Sequence, residues 1–111
     1  MLPEIVSSVN GRAEVFVDGG FMRGTDIVKA MALGAQAVGI GKLQAFALAA
    51  GGLNALLNCL NILETELTIA MGLLGVTKLD QLNSTFLTNS RPVGPTHEMS
   101  AFPFLPGGRI T

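Results

Sequence analysis

The sequence predicts an α/β fold in which a helix joins two parallel strands. Residues 15–17 and 37–40 are short apolar runs, and a glycine turn follows each of them. Strands that are apolar throughout, without polar alternation, are typical of parallel sheets covered on both faces. A helical pattern lies between the two runs, and a strand, helix and strand in this order form a right-handed βαβ unit.

The composition indicates that the apolar surface of this chain is covered by further protein. Hydrophobic residues make up 49% of the 111 residues and charged residues only 14%, compared with about 25% charged residues in typical domains. A chain of this length is sufficient for one small domain, and small domains expose much of their surface. We therefore expect the chain to bury its apolar excess against something else or to be part of a larger fold.

Charge and cysteine content exclude several classes of partner. The net charge is −1, no basic cluster occurs, and Trp and Tyr are absent, so the sequence offers no nucleic-acid surface. The single cysteine, Cys59, excludes an internal disulfide, and we interpret it as a small buried side chain. The N-terminus lacks signal-peptide features, and the apolar residues 43–57 are interrupted and shorter than the roughly 20 residues that cross a bilayer. We expect a soluble, cytoplasmic protein without a membrane partner.

Helices are predicted where apolar residues recur at helical spacing. They span residues 2–9, 25–33, 43–50, 53–74 and 79–82. Thr25 and Asp26 supply a cap and an acidic first turn to the second of these helices. Gly51 and Gly52 separate the third helix from the fourth. The fourth carries one apolar stripe that includes Met71, which we interpret as a core side chain.

Residues 83–111 are predicted to form an irregular tail after a first unit at 1–82. Repeated prolines prevent helix and central strand there, and the apolar residues at 102–105 suggest a tail laid over another surface. The only histidine, His97, lies in this tail, where a lone histidine is most often exposed or structurally paired. No nucleophile motif, zinc-ligand spacing or carboxylate pair occurs, so we predict no catalytic residue and no metal site.

The two glycine turns predict a phosphate-binding site at one edge of the sheet. Residues 18–24 follow the first strand and residues 41–42 follow the second, and ligands of parallel α/β folds bind where strands end. The candidate ligands are glycine backbone amides, one carboxylate and two cations: Asp18, Gly19, Gly20, Arg23, Gly41 and Lys42. The alternative is that these glycines only close tight turns. Two glycine turns on adjacent strands, with a cation at each, favour phosphate binding.

These residues resemble the FMN-dependent α-hydroxy-acid oxidases and dehydrogenases, the family of glycolate oxidase, lactate oxidase and flavocytochrome b2. The resemblance covers roughly residues 2–82. It is carried by Asp18-Gly19-Gly20, Arg23-Gly24-Thr25-Asp26, Lys29-Ala30, Ala32-Leu33-Gly34-Ala35 and Val38-Gly39-Ile40-Gly41, and downstream by Glu66-Leu67, Met71, Leu74-Gly75-Val76 and Leu79. It implies a (β/α)8 TIM barrel of which this chain forms the last βαβα units, about a quarter, followed by the proline-rich tail.

The resemblance implies that the cofactor is FMN and that the reaction oxidises small 2-hydroxy acids to 2-oxo acids. By position, Asp18 would meet the ribityl hydroxyls of FMN. Gly19, Gly20 and Gly41 would offer their backbone to the phosphate.

Two positions depart from the family's pattern. The family usually has two arginines after the double glycine and one further residue, and Met22 stands in the place of the first. Lys42 stands where the family usually has another arginine, and it keeps the charge but loses the bidentate fork. Arg23 matches the second arginine and is expected to substitute in part. These departures predict weakened FMN affinity.

The resemblance also implies which parts of the catalytic site lie elsewhere. The family's catalytic histidine and its neighbouring substrate-binding arginine belong to a motif before this segment, and nothing in this chain matches that motif. In the family the histidine takes the α-hydroxyl or α-carbon proton while a hydride equivalent passes to the flavin. We therefore expect a C-terminal fragment, inactive alone, whose partner is the rest of the barrel or further copies of itself.

Two alternatives remain open at this point. The type 2 isopentenyl-diphosphate isomerases and the IMP dehydrogenases are barrels with a similar glycine-turn phosphate site, although Asp18 and the segment 23–26 favour the hydroxy-acid family. The second alternative is a non-catalytic relic that survives by self-association through its exposed strands and helix faces.

Overall fold

The computed structural model of this protein describes residues 1–89. Helices and strands alternate along the chain before a long final helix and two short 3₁₀ helices. The elements are α1 (Leu2–Val9), β1 (Phe16–Asp18), α2 (Gly24–Ala32), β2 (Ala37–Gly39), α3 (Lys42–Leu74) and the 3₁₀ helices Leu79–Gln81 and Ser84–Phe86. The predicted order of helices and strands is confirmed, and α2 begins one residue earlier than expected.

The strands β1 and β2 form a two-stranded parallel sheet, with α2 as the crossover between them. In the register, Phe16 pairs with Ala37 and Asp18 pairs with Gly39. The predicted βαβ unit is therefore confirmed. Because the strands are parallel and in register at their ends, the turn after Asp18 and the turn after Gly39 leave the sheet at the same edge.

Helix α2 is packed on two sides and joins the sheet to α3. The cluster toward the strands contains Phe21, Ala30 and Ala35, with Val17 and Val38 packed against it. The cluster toward α3 contains Val28, Ala32, Val76 and Leu82, with Leu67 and Met71 packed against it. Burial of each large apolar side chain contributes about 1.5–3 kcal/mol, so these two clusters hold the described residues together. The interpretation of Met71 as a core side chain is confirmed.

The prediction that both faces of the strands are covered is wrong for the described residues. Phe16 is 67% exposed, whereas Val17, its neighbour on the opposite face, packs against the cluster under α2. Successive residues of a strand point to opposite faces, and α2 covers only the face that carries Val17. The other face, which carries Phe16 and Asp18, has no layer packed on it within residues 1–89.

Helix α3 bends at the two glycines that were predicted to separate two helices. Gly51 has φ −166° and ψ 25°, and Gly52 has φ 62° and ψ −147°, so neither residue has helical angles. The predicted break is therefore present as a kink within one long element.

The apolar stripe of α3 is buried at only some of its positions. Leu63 is buried, and Leu67 and Met71 pack against the cluster under α2. By contrast, Leu53 is 65% exposed and Leu57 is 49% exposed. Cys59, expected to be buried, is half-buried. Exposure of an apolar helix face to this extent is typical of a surface that contacts further protein or a membrane.

By length and composition, α3 also meets the requirement for crossing a membrane. Its most apolar window of 18 residues has a mean hydropathy of 1.6, and 6% of that window is buried. The sequence predicted a stretch too short to cross, because the apolar residues 43–57 are interrupted by Gln44, Gly51, Gly52 and Asn54 and are fewer than the roughly 20 residues required. The kink at Gly51 and Gly52 and the packing of the C-terminal half on α2 are features of α3 that composition alone does not show.

The start of the predicted tail is more regular than expected. Ser84–Phe86 forms a 3₁₀ helix whose cap is Asn83, since the Asn83 side chain accepts a hydrogen bond from the Thr85 amide over 3.0 Å. Phe86 packs against the cluster that contains Leu82. The proline-rich part of the tail and His97 lie outside the described residues.

Replacement of Gly24 by alanine is expected to destabilise the fold. A Cβ at Gly24 would lie 2.6 Å from the Glu66 carbonyl carbon and would also collide with the Leu67 amide nitrogen. Gly24→Ala should lower the free energy of unfolding by about 1–3 kcal/mol because the α3 backbone must shift. Denaturant unfolding followed by circular dichroism measures this change.

Gly72→Ala provides the matched control for this prediction. No atom lies within 4 Å of a Cβ at Gly72, which is in α3, so alanine there should be neutral or stabilising by about 0.5–1 kcal/mol. Equal effects of the two substitutions would contradict the close approach of α2 and α3.

Candidate functional site

A cavity of about 200 Å³ lies at the edge of the sheet where both strands end. Its walls come from the turn after β1 and from the start of α3. They comprise Asp18, Gly19, Gly20, Phe21, Met22, Gly41, Lys42 and Leu43. The structure thus brings together every residue that the sequence predicted for the phosphate site, with the exception of Arg23.

The Asp18 carboxylate lies against β2 because the paired residue there has no side chain. Asp18 pairs with Gly39 in the sheet, and a Cβ at Gly39 would lie 3.0 Å from the Asp18 carboxyl carbon and from its Oδ1. The same Oδ1 is 3.9 Å from the position of a Cβ at Gly41. Glycine at 39 therefore makes room for a carboxylate that spans the ends of both strands.

The double glycine after Asp18 is required by the backbone conformation rather than by lack of space. Gly19 has φ 100° and Gly20 has φ 82°, both in the left-handed region that residues with a side chain rarely adopt. No atom lies within 4 Å of a Cβ at either residue. The turn is consequently open on the side where the missing side chains would point, so a ligand could approach its backbone.

Arg23 lies outside this cavity and is paired with α3. Its Nε donates to Oε1 of Glu66 over 2.8 Å and to Oε2 over 3.0 Å, and its Nη2 lies 2.7 Å from Oε1. The Gly24 amide donates to Oε2 of Glu66 over 2.9 Å. The Arg23 guanidinium was expected to compensate for the arginine that Met22 replaces. It is instead engaged in a bidentate pair with Glu66.

The hydrogen bonds of this cluster shift the titration of both partners. The Arg23 side chain and then the Gly24 amide lower the pKa of the Glu66 carboxyl below its ordinary value of 4.5. The hydrogen bond to Glu66 also raises the pKa of the Arg23 guanidinium. Sequence reasoning assigned Glu66 no role at the site, because it lies 43 positions from Arg23 and no short-range pattern links the two.

The cap of α2 differs from the predicted one in the same region. Arg23 is the N-cap residue, and the Asp26 carboxylate accepts hydrogen bonds from the backbone amides of Arg23 (3.1 Å) and Met22 (3.3 Å). Thr25, predicted as the cap, lies inside the helix because the helix begins at Gly24. The predicted role of Asp26 in the first turn is confirmed, and it fixes the end of the glycine turn.

A second cavity adjoins the first behind Met22 and Leu43. Its remaining walls come from one face of α3: Ala55, Asn58, Cys59, Ile62 and Leu63. Met22, half-buried, lies between the two cavities. A thioether in this position contributes apolar contact to the site and no charge for a phosphate.

The cavity combines hydrogen-bond acceptors, positive charge and backbone amides, and no histidine is among the described residues that line it. Asp18 offers hydrogen-bond acceptors, Lys42 offers positive charge, and the glycine turns offer backbone amides. Within residues 1–89, no group of three His, Cys, Asp or Glu side chains is arranged to hold a metal ion. The arrangement is suited to an anion that also carries hydroxyl groups.

Comparison with known proteins identifies the family. The FMN-dependent dehydrogenase family matches residues 1–89. L-lactate oxidase of Nostoc sp. is 50% identical over 86 residues, which are 78% of this chain and 24% of that protein. The chain therefore spans about a quarter of the length of this relative. The match names the family that the sequence resembled, and it lends no support to the isomerase or IMP dehydrogenase alternatives.

Solved structures of the same family share the fold of this chain. A mandelate oxidase variant with a monooxide FMN adduct is 45% identical with a TM-score of 0.72, covering 74% of this chain and 26% of that one. A (S)-mandelate dehydrogenase described as a monotopic membrane protein is 33% identical with a TM-score of 0.76, covering 81% of this chain and 24% of that one. Both are TIM-barrel enzymes. This chain belongs to the FMN-dependent dehydrogenases, a family of oxidoreductases that use FMN.

Acid should weaken the fold through Glu66. Because folding lowers the pKa of Glu66, the stability that its carboxylate contributes is fully present above the unfolded-state pKa, near 4.5, and is lost as the pH falls through the lower folded-state pKa. Glu66→Gln should reduce stability at pH 7 and flatten its decline below pH 4.5. Thermal unfolding of both proteins between pH 3 and pH 7 measures this difference, and parallel curves would contradict it.

Proposed function

We propose that residues 1–89 of this FMN-dependent dehydrogenase family member form the phosphate-binding end of a flavin site in an enzyme that oxidises small 2-hydroxy acids to 2-oxo acids. The observation that carries the proposal is the convergence of two glycine turns, one carboxylate and one lysine at a single cavity. The names of the relatives, which include L-lactate oxidase and mandelate oxidase, support this substrate class.

The residues present fit the phosphate and ribityl parts of FMN. Gly19 and Gly20 expose their backbone on an open turn, and backbone amides with a nearby cation are suited to a phosphate. Lys42 at the start of α3 supplies that cation. Asp18 would repel the phosphate but accepts hydrogen bonds from hydroxyl groups, so it would face the ribityl chain.

The site as described binds and orients without exchanging a proton. When bound, FMN supplies the acceptor for the hydride equivalent that leaves the hydroxy acid. None of the residues at the cavity is a histidine, and Asp18, an exposed carboxylate, is the acidic residue there. The proton acceptor and the substrate-binding cation would come from other units of the barrel.

The uncovered apolar surfaces are consistent with this incomplete site. The open face of β1, with Phe16 67% exposed, and the open face of α3, with Leu53 65% exposed, would pack against the remaining strands and helices of a barrel. The same surfaces are those that a self-associating relic would use. The partner in either case is apolar protein surface.

The chain alone should not oxidise hydroxy acids. With FMN added, the purified 111-residue protein should reduce an electron-accepting dye no faster than free FMN does when glycolate or lactate is supplied, because no histidine lines the described cavity and nothing in the chain matches the family's catalytic motif. Dye reduction above the FMN blank would contradict this expectation.

Charge at two positions should control binding of the flavin phosphate. Lys42→Met should weaken FMN binding about tenfold or more, and Met22→Arg should strengthen it by a similar factor, since hydrogen bonds to charged groups contribute about 1.5–3 kcal/mol. Riboflavin, which lacks the phosphate, should bind both variants and the unchanged protein equally. Quenching of flavin fluorescence measures these affinities.

Lys78→Met serves as the control, because it removes the same charge from an exposed side chain outside the cavity. If Lys42→Met weakened the binding of riboflavin and of FMN equally, Lys42 would not contact the phosphate. If Lys78→Met weakened FMN binding as much as Lys42→Met does, the effect would be one of net charge.

A further inference from the structure

One carboxylate on α3 holds the far end of the glycine turn. Glu66 accepts hydrogen bonds from the Arg23 guanidinium at both of its oxygens and from the Gly24 amide at Oε2. It is 24% exposed, whereas Arg23 is 70% exposed. The partners are separated by 42 and 43 positions in the sequence, so this contact ties two distant parts of the chain together.

Close approach of the backbones reinforces the same contact. Gly24 is buried and has the Glu66 and Leu67 backbone where its Cβ would be. The first residue of α2 therefore touches α3 directly, without a side chain between them. A contact at backbone level leaves little freedom for the end of the turn to move relative to α3.

The turn itself depends on what holds its two ends. Gly19 and Gly20 carry no side chains, and no atom lies within 4 Å of a Cβ at either residue. The turn is fixed on one side by β1. On the other side it is fixed by the buried Phe21, by the Asp26 carboxylate that accepts from the Met22 and Arg23 amides, and by the contacts of Arg23 and Gly24 with Glu66. Two consecutive glycines have high conformational freedom, so the conformation of the turn depends on these anchors.

From this arrangement we infer that Glu66 and Arg23 are positioning residues for the flavin site and that neither contacts the phosphate. They act by fixing residues 19–22 against α3, in the conformation in which the turn lines the cavity. This inference rests on the proposed function for its ligand. It assigns Arg23 a different role from the phosphate contact that the family's paired arginines suggest.

Flavins with and without a phosphate separate the two roles of Arg23. If Arg23 positions the turn, Arg23→Met and Glu66→Gln should each weaken the binding of FMN and of riboflavin by the same factor, about tenfold. The reason is that each variant loses the charged hydrogen-bond pair between Arg23 and Glu66. The double variant should bind the flavins no more weakly than the single variant with the lower affinity, because both substitutions remove the same contact. Fluorescence titration gives all of these affinities.

Amide hydrogen exchange tests the same inference without a ligand. In the flavin-free protein, the Gly24 amide should exchange at least about tenfold faster in Glu66→Gln than in the unchanged protein, since it loses its charged acceptor. Glu64→Gln is the matched control, because it removes the same charge from an exposed position two residues earlier on α3. It should leave exchange and both affinities unchanged.

Specific results would overturn the inference. Weaker FMN binding in Arg23→Met with unchanged riboflavin binding, together with no effect of Glu66→Gln, would make Arg23 a phosphate ligand. Unchanged Gly24 exchange in Glu66→Gln would refute the anchoring of the turn. Failure of the unchanged protein to bind either flavin would refute the proposed function, while faster Gly24 exchange in Glu66→Gln would still support the anchoring.

Discussion

The parallel pairing of β1 with β2 is the constraint on which the candidate site depends. Asp18 pairs with Gly39 at the carboxyl ends of the strands, so both glycine turns open at one edge. The pairing itself needs the crossover helix α2, which packs on the strands through one cluster and on α3 through another. A shift of the register by one residue would move the Asp18 carboxylate to the opposite face of the sheet and separate it from the second turn.

The same two-stranded pairing leaves strand edges and apolar faces of the described residues uncovered. A two-stranded sheet has free edges on both sides, and here α2 packs on only one of its faces. Here one face of β1 and much of α3 remain apolar and exposed, as shown by Phe16 and Leu53. The low charged fraction of the sequence corresponds to these exposed apolar surfaces. Both observations are consistent with the proposal that further protein covers these surfaces.

The sequence was sufficient to predict the βαβ unit and most of the cavity, because those features follow from local patterns. Short apolar runs and consecutive glycines predict strands and turns, and parallel strands then determine which turns meet. It was not sufficient to place Arg23, because the position of that side chain depends on Glu66, which lies 43 residues away. Exposure was also predicted wrongly for Phe16, since an apolar run shows that a strand prefers to be covered but does not show what covers it.

In the proposed site, the two glycine turns together receive the phosphate of a flavin. Titration of the isotopically labelled protein with FMN, followed by the amide chemical shifts, tests it most directly. We expect the largest shifts at Gly19, Gly20 and Gly41, which line the cavity, and much smaller shifts of these amides with riboflavin. Shifts of equal size with riboflavin, or shifts confined to the exposed face of α3, would contradict it.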